Sequence, residues 1–169
     1  MDKFLDFDAI AQICFVTDDL DASSRWFADL VGKEMPAETR AAVPEIAKAT
    51  YKGQPATVSC RIRMFKFGNI DFELLEPGPE PSAWRDFLER NGPGCHHIAF
   101  RTRNLPEKHL YLEGKGHGLL QRGETRLGVG RYAYYDTEPQ LGALFEMLER
   151  DSDKLPQPDA GTRISSSEP

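Results

Sequence analysis

Four polar side chains interrupt otherwise apolar stretches of this 169-residue sequence, and together they could bind a divalent metal ion. They are Gln12 in AQICFVT, Glu73 in NIDFELLEP, His97 in HHIAFRT and Glu146 in LGALFEMLER. A carboxylate in the middle of an apolar strand is costly to bury unless it is paired. One imidazole, one amide oxygen and two carboxylates suit a cation of borderline hardness, which would also relieve the repulsion between the carboxylates.

An internal repeat relates these four residues as two pairs. The segment QICFVTDDLD, which begins at Gln12, aligns with HIAFRTRNLP, which begins at His97, 85 residues later. The segment FGNIDFELLE aligns with QLGALFEMLE, so that Glu73 matches Glu146 at an offset of 73 residues. Such self-similarity indicates two copies of one supersecondary unit. We therefore expect the four side chains to share one centre between two repeated halves.

Each half is predicted to contain a strand, a helix and three further strands. Alternating apolar and β-branched residues predict the strands, and the helices are DDLDASSRWFADLVG and LPEKHLYLEGKG, both of which end in Gly. The GN step inside FKFGNIDF predicts a β-hairpin. Residues 36–55 are an insertion of mixed character in the first half.

The predicted division of the chain has four parts. A first module covers residues 9–77, and a linker helix, PSAWRDFLERNG, falls within residues 78–94. A second module covers residues 95–150. The polar segment 151–169, which lacks periodicity, is predicted to be a disordered tail.

Composition argues against several classes of partner. The net charge is −6 and no stretch concentrates Lys or Arg, so nucleic acid and anionic membranes are not expected partners. No apolar run approaches the roughly 20 residues that cross a bilayer, and MDKFLDFDAIAQ lacks the apolar core of a signal peptide.

Three cysteines without a CxxC pair, Cys14, Cys60 and Cys95, indicate free thiols in a reducing cytoplasm and argue against a Cys-based zinc site.

The adjacent histidines His96 and His97 are expected to point to opposite faces of their strand, because side chains alternate along a strand. His97 then shares a face with the other candidate ligands, and His96 is expected to pack behind the sheet. Arg61, Arg63 and Arg101 could anchor an anionic substrate or, alternatively, be solvated surface residues.

From about Ile10 to Arg150 the sequence resembles the vicinal oxygen chelate superfamily, which includes glyoxalase I, methylmalonyl-CoA epimerase, extradiol dioxygenases and the bleomycin and fosfomycin resistance proteins. The resemblance implies an α+β, glyoxalase-like fold in which two βαβββ modules form a curled mixed sheet around a metal cup. The ligands that it implies are Gln12, Glu73, His97 and Glu146. It also implies a homodimer and a divalent metal cofactor, which could be zinc, nickel, cobalt, manganese or iron.

Within this superfamily, FELLEP followed by FLERNGPG and HHIAF most resembles methylmalonyl-CoA epimerase. Two features depart from that family. Gln12 stands where its first ligand is usually His, and its second acid/base carboxylate, on a strand of the first module, has no recognisable counterpart. The set Gln, Glu, His, Glu instead matches the eukaryotic type of glyoxalase I (lactoylglutathione lyase), whose glutathione-contacting segments are not recognisable here. Gln12 argues against iron dioxygenases, which need two His and one carboxylate.

The implied activity is that of a metal-dependent isomerase, epimerase or lyase that removes a proton next to the carbonyl of a small carbonyl or acyl-thioester substrate. The metal ion supplies stabilisation of the resulting enediolate or enolate. Glu146, and as second choice Glu73, is the predicted general base, which requires an enclosed site that raises the pKa of a carboxylate toward neutrality. His97 is expected to remain a neutral ligand. A non-catalytic binding or resistance protein on the same fold is the remaining alternative, although such proteins often lack the metal residues.

Overall fold

The computed structural model describes residues 4–41, 47–125 and 129–153. In chain order its elements are β1 (Ile10–Val16), α1 (Leu20–Val31), β2 (Thr39–Ala41), β3 (Thr50–Tyr51), β4 (Gln54–Pro55), β5 (Cys60–Lys66), β6 (Asp71–Pro77), α2 (Ala83–Asn91), β7 (Gly94–Thr102), α3 (Leu105–Gly114), β8 (Leu119–Glu124), β9 (Gly130–Tyr135), α4 (Glu138–Leu141) and β10 (Leu144–Arg150). A single 3₁₀ turn, Asp151–Asp153, follows β10. The rest of the predicted tail lies outside the described residues.

The strands form one ten-stranded mixed sheet in the order β2-β5-β6-β1-β7-β10-β9-β8-β3-β4. The first strands of the two halves, β1 and β7, pair antiparallel at its centre. Each has the last strand of its own half beside it in parallel, β6 next to β1 and β10 next to β7. The halves are therefore related by an approximate two-fold axis between β1 and β7. This confirms the predicted α+β fold of two repeated modules, including the hairpin between β5 and β6.

The inserted segment of the first half forces the sheet to curl. Ala41 ends β2 near one edge of the sheet, and Thr50 begins β3, which pairs with β8 near the other edge. The nine residue steps between them span about 30 Å at most. In a flat sheet, the eight strand spacings from β2 to β3 would measure about 38 Å. The two ends of the sheet must therefore approach each other, which creates a concave inner side.

Different elements cover the two sides of the sheet. On the inner side, Trp84 and Phe87 of α2 and the small residues Ala47, Ala49 and Val58 belong to one buried apolar cluster with residues of β1, β6 and β9. On the outer side, α1 and α3 pack over two aromatic-rich clusters, one for each module. The polar candidates for chemistry lie on the inner side.

The residues that match in the repeat begin the helices in the same way. Asp19 and Asn104 are the N-caps of α1 and α3, and each accepts a hydrogen bond from the backbone N–H three residues later, at 2.8 and 3.3 Å. Thr17 and Thr102 each accept a hydrogen bond, at 3.2 Å, from the backbone N–H of the cap residue. These side chains satisfy donors that a helix N-terminus leaves unpaired. Capping therefore explains why the two halves share this pattern.

A second repeated contact joins the end of each module's last strand to its helix. Glu76 accepts a hydrogen bond from the first backbone N–H of α1, at 2.8 Å, and pairs with Arg61 at 3.1 Å. Glu149 accepts one from the first N–H of α3, at 3.1 Å, and pairs with Arg131 at 2.6 Å. A carboxylate is favoured at a helix N-terminus, where the helix dipole is positive. Each contact holds a helix against the outer side of the sheet.

The three arginines considered as substrate anchors are all paired with carboxylates. Arg61 and Arg63 both bind Asp21 of α1, and Arg101 binds Asp153. Opposite charges within hydrogen-bond distance thus already contact these guanidinium groups. The role of these arginines as substrate anchors stays a prediction.

None of the helices in the described ranges combines the length and the apolar character needed to cross a bilayer. Cys14, Cys60 and Cys95 are free thiols, as the sequence predicts.

Glu149 offers a test of the helix-docking contact. We expect Glu149→Gln to lower the free energy of unfolding by about 1–3 kcal/mol, because the start of α3 and Arg131 lose a buried charged acceptor. Urea denaturation measures this change. Glu89→Gln, on the exposed face of α2, is the matched control and should stay within about 0.5 kcal/mol of the wild type. Equal effects of the two variants would contradict the docking role.

Candidate metal centre

The four predicted ligands come from the four central strands of the sheet. Gln12 lies on β1, Glu73 on β6, His97 on β7 and Glu146 on β10. Strand pairing places the four residues at similar heights along their strands. Cys14 of β1 is the register partner of both Glu73 and His97. Ala99 is in turn the partner of both Gln12 and Glu146. The alternation of side chains then directs all four toward the inner side.

Three of the four side chains converge on one atom of the fourth, Nε2 of His97. The amide nitrogen of Gln12 lies 3.2 Å from it, Oε2 of Glu73 lies at 3.5 Å and Oε2 of Glu146 lies at 3.0 Å. The Gln12 amide also donates to Oε2 of Glu73 over 2.5 Å. The exposed fractions of Glu73, His97 and Glu146 are only 5%, 0% and 2%. The structure thus brings together all four residues that the sequence singled out.

The contacts around His97 do not supply enough positive charge to satisfy both the Glu73 and the Glu146 carboxylate. A ring nitrogen carries either one proton or one lone pair, so Nε2 can serve only one of its three neighbours. Oε2 of Glu146 is fully buried, and its one polar contact among the described residues is the one with Nε2 of His97, at 3.0 Å. Buried acceptors without partners are costly, and a cation among two carboxylates, an imidazole and an amide would remove that cost. The donor set therefore fits a divalent metal ion, with the Gln12 amide turned to present its oxygen.

The carboxylates also govern the charge of His97. Burial by itself lowers the pKa of an imidazole, but Glu146 and Glu73 oppose it and raise the pKa of His97 to about 9. Without a metal ion, His97 therefore carries a proton at neutral pH and is itself the cation between the carboxylates. A metal ion must displace that proton in order to bind Nε2.

His96 does not pack behind the sheet, so that prediction is wrong. Cys14 pairs with His97 and Phe15 with Cys95, so His96 is an extra residue in a β-bulge and the alternation of faces is broken there. His96 packs edge-on against Phe87 and Tyr134 on the inner side. Its Nδ1 lies 2.8 Å from Nδ1 of His97.

The contact between the two Nδ1 atoms identifies His96 as the group that orients His97, a predicted ligand. Burial, together with the neighbouring His97, lowers the pKa of His96 well below its usual value, so His96 is neutral. A neutral His96 can accept the Nδ1 proton of His97, which leaves Nε2 of His97 with its lone pair toward the centre. A hydrogen bond of this kind fixes the tautomer and the ring orientation of a metal-binding histidine.

Cys14 belongs to the centre although the sequence reasoning excluded cysteine ligands. Its sulfur and donor atoms of Glu73 and His97 all lie within 4.8 Å of one another. Burial, with Glu73 next to it, raises the pKa of the thiol well above its usual value. The signal that could have revealed it is its position two residues after Gln12, on the same face of β1.

Tyr134 closes the second-module side of the centre. It is the register partner of Glu146, and its ring centroid lies 4.9 Å from that of His97. Trp84 donates a hydrogen bond to its hydroxyl over 3.1 Å. Burial and the two carboxylates raise its pKa well above the usual value, so the hydroxyl stays neutral. Met64 holds the matching place opposite Glu73 and has no polar group of this kind.

The described residues also form cavities outside this buried centre. One, of about 580 Å³, is lined by Phe87, which contacts His96, and by Leu144, which is the register partner of His97. Another, of about 1120 Å³, lies between α3 and the β8–β9 hairpin and is lined by Tyr132, which contacts Tyr134. Both cavities therefore border neighbours of the candidate ligands.

A curled sheet of two related modules, with polar side chains of both modules at its centre, defines the glyoxalase-like class of fold. A family profile described as the glyoxalase/bleomycin resistance protein/dioxygenase superfamily matches residues 11–135. The chain belongs to this superfamily.

Comparisons with individual proteins agree with this membership. A Bacillus subtilis (strain 168) protein described as uncharacterized protein YqjC is 31% identical over 94 residues, which cover 55% of this chain and 67% of that protein. A methylmalonyl-CoA epimerase in complex with methylmalonyl-CoA and NH4+ superposes with a TM-score of 0.62 at 25% identity, over 88% of this chain and 98% of that chain. A methylmalonyl-CoA epimerase from Mycobacterium tuberculosis, with 18% identity over 92% and 94% of the chains, shares the fold with a TM-score of 0.62.

The contact between the two histidines leads to a prediction about metal affinity. We expect His96→Ala to weaken zinc binding by about 10- to 100-fold, because His97 loses the acceptor that fixes its tautomer. His96→Asn should restore part of the affinity, since its amide oxygen can accept the same proton. Competition with a chromophoric chelator measures the affinities. His109→Ala, on α3, is the control, and a His96→Ala protein that folds and binds zinc like this control would contradict the prediction.

The raised pKa of His97 predicts how stability depends on pH in the metal-free protein. Because the folded-state pKa of about 9 exceeds the ordinary value of 6.5, protonation of His97 favours the folded state. This contribution is fully present below about pH 6.5 and is lost as pH rises toward 9. In a chelator, the free energy of unfolding of the wild type should fall across this range relative to that of His97→Gln. Parallel pH profiles of the two proteins would show that the carboxylates do not hold a proton on His97.

Proposed function

We propose that this protein is a metal-dependent enzyme that removes and returns a proton at a carbon next to a carbonyl group, and that its substrate is an acyl thioester. The observation that carries the proposal is the convergence of Gln12, Glu73 and Glu146 on Nε2 of His97 in an enclosed site. The likeness to methylmalonyl-CoA epimerases, one of them in complex with methylmalonyl-CoA, supports the acyl-thioester class of substrate. The metal ion would supply stabilisation of negative charge on the carbonyl oxygen.

Glu146 is the better candidate for the general base. Glu73 is held by the Gln12 amide at 2.5 Å, and it also lies 3.5 Å from Nε2 of His97. The one polar contact of Oε2 of Glu146 among the described residues is Nε2 of His97, at 3.0 Å, so Glu146 is freer than Glu73 to accept a proton from substrate once His97 has lost its own. A base must reach the proton that it abstracts, and a carboxylate already engaged as an acceptor is less available.

The positions of the two carboxylates also suit epimerisation. Glu73 on β6 and Glu146 on β10 flank the central β1–β7 pair from opposite sides. Inversion at a carbon requires a proton to leave one face and another to arrive at the opposite face. In our proposal, the Glu146 carboxylate takes the proton from one face and keeps it, and Glu73 delivers one from the other side in the state of the enzyme in which Glu73 is itself protonated.

A glyoxalase I-type lyase is the second candidate, and the donor set favours it. The set Gln12, Glu73, His97 and Glu146 is the one that the glyoxalase I resemblance implies. A proton shift between adjacent carbons can use a single base, so this reaction would need only Glu146 as a proton carrier.

Substrate must displace part of the cover of the site, because the candidate ligands are buried beneath α2 and the small residues of segment 47–58. Enclosure of this kind strengthens electrostatic interactions by excluding water. The homodimer that the superfamily resemblance implies stays a prediction.

Isotope exchange combined with metal analysis tests the proposal. Protein purified without chelator should carry a near-stoichiometric divalent metal ion and incorporate solvent deuterium at the α-carbon of a 2-methyl-acyl-CoA thioester. Glu146→Gln should lower the exchange rate by about 10²- to 10⁴-fold, because the amide cannot accept the proton. Glu89→Gln, an exposed carboxylate on α2, is the matched control and should exchange like the wild type.

Each outcome of this experiment has a separate meaning. Turnover of a hemithioacetal without thioester exchange would move the assignment to the glyoxalase class. Full exchange by a folded Glu146→Gln variant would remove Glu146 from the role of base. A protein that takes up no divalent metal would contradict the enzymatic proposal and favour a non-catalytic binding protein.

A further inference from the structure

Cys14 lies on β1 at the base of the centre. Its register partners are two of the predicted ligands, Glu73 on one side and His97 on the other. Its sulfur lies within 4.8 Å of donor atoms of both, and all three side chains are buried. The nearby Oε2 of Glu146 is buried, and its one polar contact among the described residues is Nε2 of His97 at 3.0 Å, so the centre also holds an acceptor that a cation would satisfy more fully.

The other cysteines show what a purely packing role looks like in this fold. Cys60 is also buried and belongs to the same inner apolar cluster as Cys14, but it is not part of the group of donor atoms. Cys95 is half-buried, beyond the bulge on β7. A buried cysteine that only packs behaves as a small hydrophobic residue. Cys14 differs because its sulfur lies within 4.8 Å of donor atoms of both Glu73 and His97.

The approximate two-fold axis allows Cys14 to be compared with the matching residue of the second module. The repeat that matches Gln12 to His97 matches Cys14 to Ala99. Ala99 pairs with Gln12 and Glu146, as Cys14 pairs with His97 and Glu73. An alanine fills this position in the second module and is completely buried there. The second module thus closes its part of the sheet without sulfur at the matching position.

We propose that the Cys14 sulfur is a fifth protein donor of this centre and makes it selective for zinc or cobalt over manganese or magnesium. The inference rests on the proposed metal-dependent function. Thiolate ligands favour borderline and soft cations, whereas carboxylate and carbonyl oxygens suit harder ones. On binding, the S–H bond of Cys14 breaks, the sulfur–metal bond forms and one proton leaves to solvent.

Spectroscopy of the cobalt-loaded full-length protein tests this inference independently of activity. The wild type should show a near-ultraviolet sulfur-to-cobalt charge-transfer band in addition to the visible ligand-field bands. The charge-transfer band should disappear in Cys14→Ser and Cys14→Ala and remain in the matched controls Cys60→Ala and Cys95→Ser. In competition experiments, the preference of Cys14→Ser for zinc over manganese should fall by about tenfold, which corresponds to about 1.4 kcal/mol.

X-ray absorption of the zinc-loaded wild type provides a measurement that needs no variant. It should detect one sulfur neighbour at about 2.3 Å together with nitrogen and oxygen neighbours. Cobalt that binds with ligand-field bands but without the charge-transfer band, or a band that survives in Cys14→Ala, would overturn the inference and leave the proposed function standing. A wild type that binds neither zinc nor cobalt would overturn both.

Discussion

The burial of Glu73, His97 and Glu146 within 3.5 Å of one atom is the constraint on which this structure depends. Ionisable groups that leave water lose much of their solvation, and they tolerate burial only when opposite charges compensate them closely. In the metal-free chain, a proton on His97 supplies that compensation, and a divalent cation would supply it more fully. The antiparallel pairing of β1 with β7 makes the arrangement possible, because it places the last strand of each module beside the centre.

The two modules remain alike where they stabilise the fold and differ where they line the centre. Both helices begin with the same threonine and Asx caps, and both are held by a glutamate paired with an arginine. On the inner side, by contrast, Gln12 faces His97 across the two-fold axis, Cys14 corresponds to Ala99, and Met64 corresponds to Tyr134. A symmetric framework thus carries an asymmetric site. That asymmetry allows two carboxylates of the same type, Glu73 and Glu146, to have different hydrogen bonds and different proposed roles.

The segment inserted between β2 and β3 affects both the shape of the sheet and the cover of the candidate metal centre. Because it runs from one edge of the sheet to the other, it limits how far the sheet can open and contributes Ala47 and Ala49 to the cover of the centre. Exclusion of water by this cover and by α2 strengthens the field of the two carboxylates at His97, and this field raises the pKa of His97 to about 9 despite complete burial. The same enclosure would strengthen the interaction of a bound cation with a carbonyl oxygen.

The sequence alone predicted the repeat, the helices, the strands outside residues 36–55 and the grouping of Gln12, Glu73, His97 and Glu146, because periodicity and self-similarity can be read along one chain. The tertiary structure decided what depends on pairing between distant segments. A bulge in β7 turned His96 inward beside His97, and the register of β1 placed Cys14 against two predicted ligands. Arg61 and Arg63 both pair with Asp21, and the β3–β4 hairpin joined the module to which it does not belong in sequence. Alternation along a strand predicts which face a residue occupies only while the ladder is regular, and only the partner strand determines where the regularity breaks.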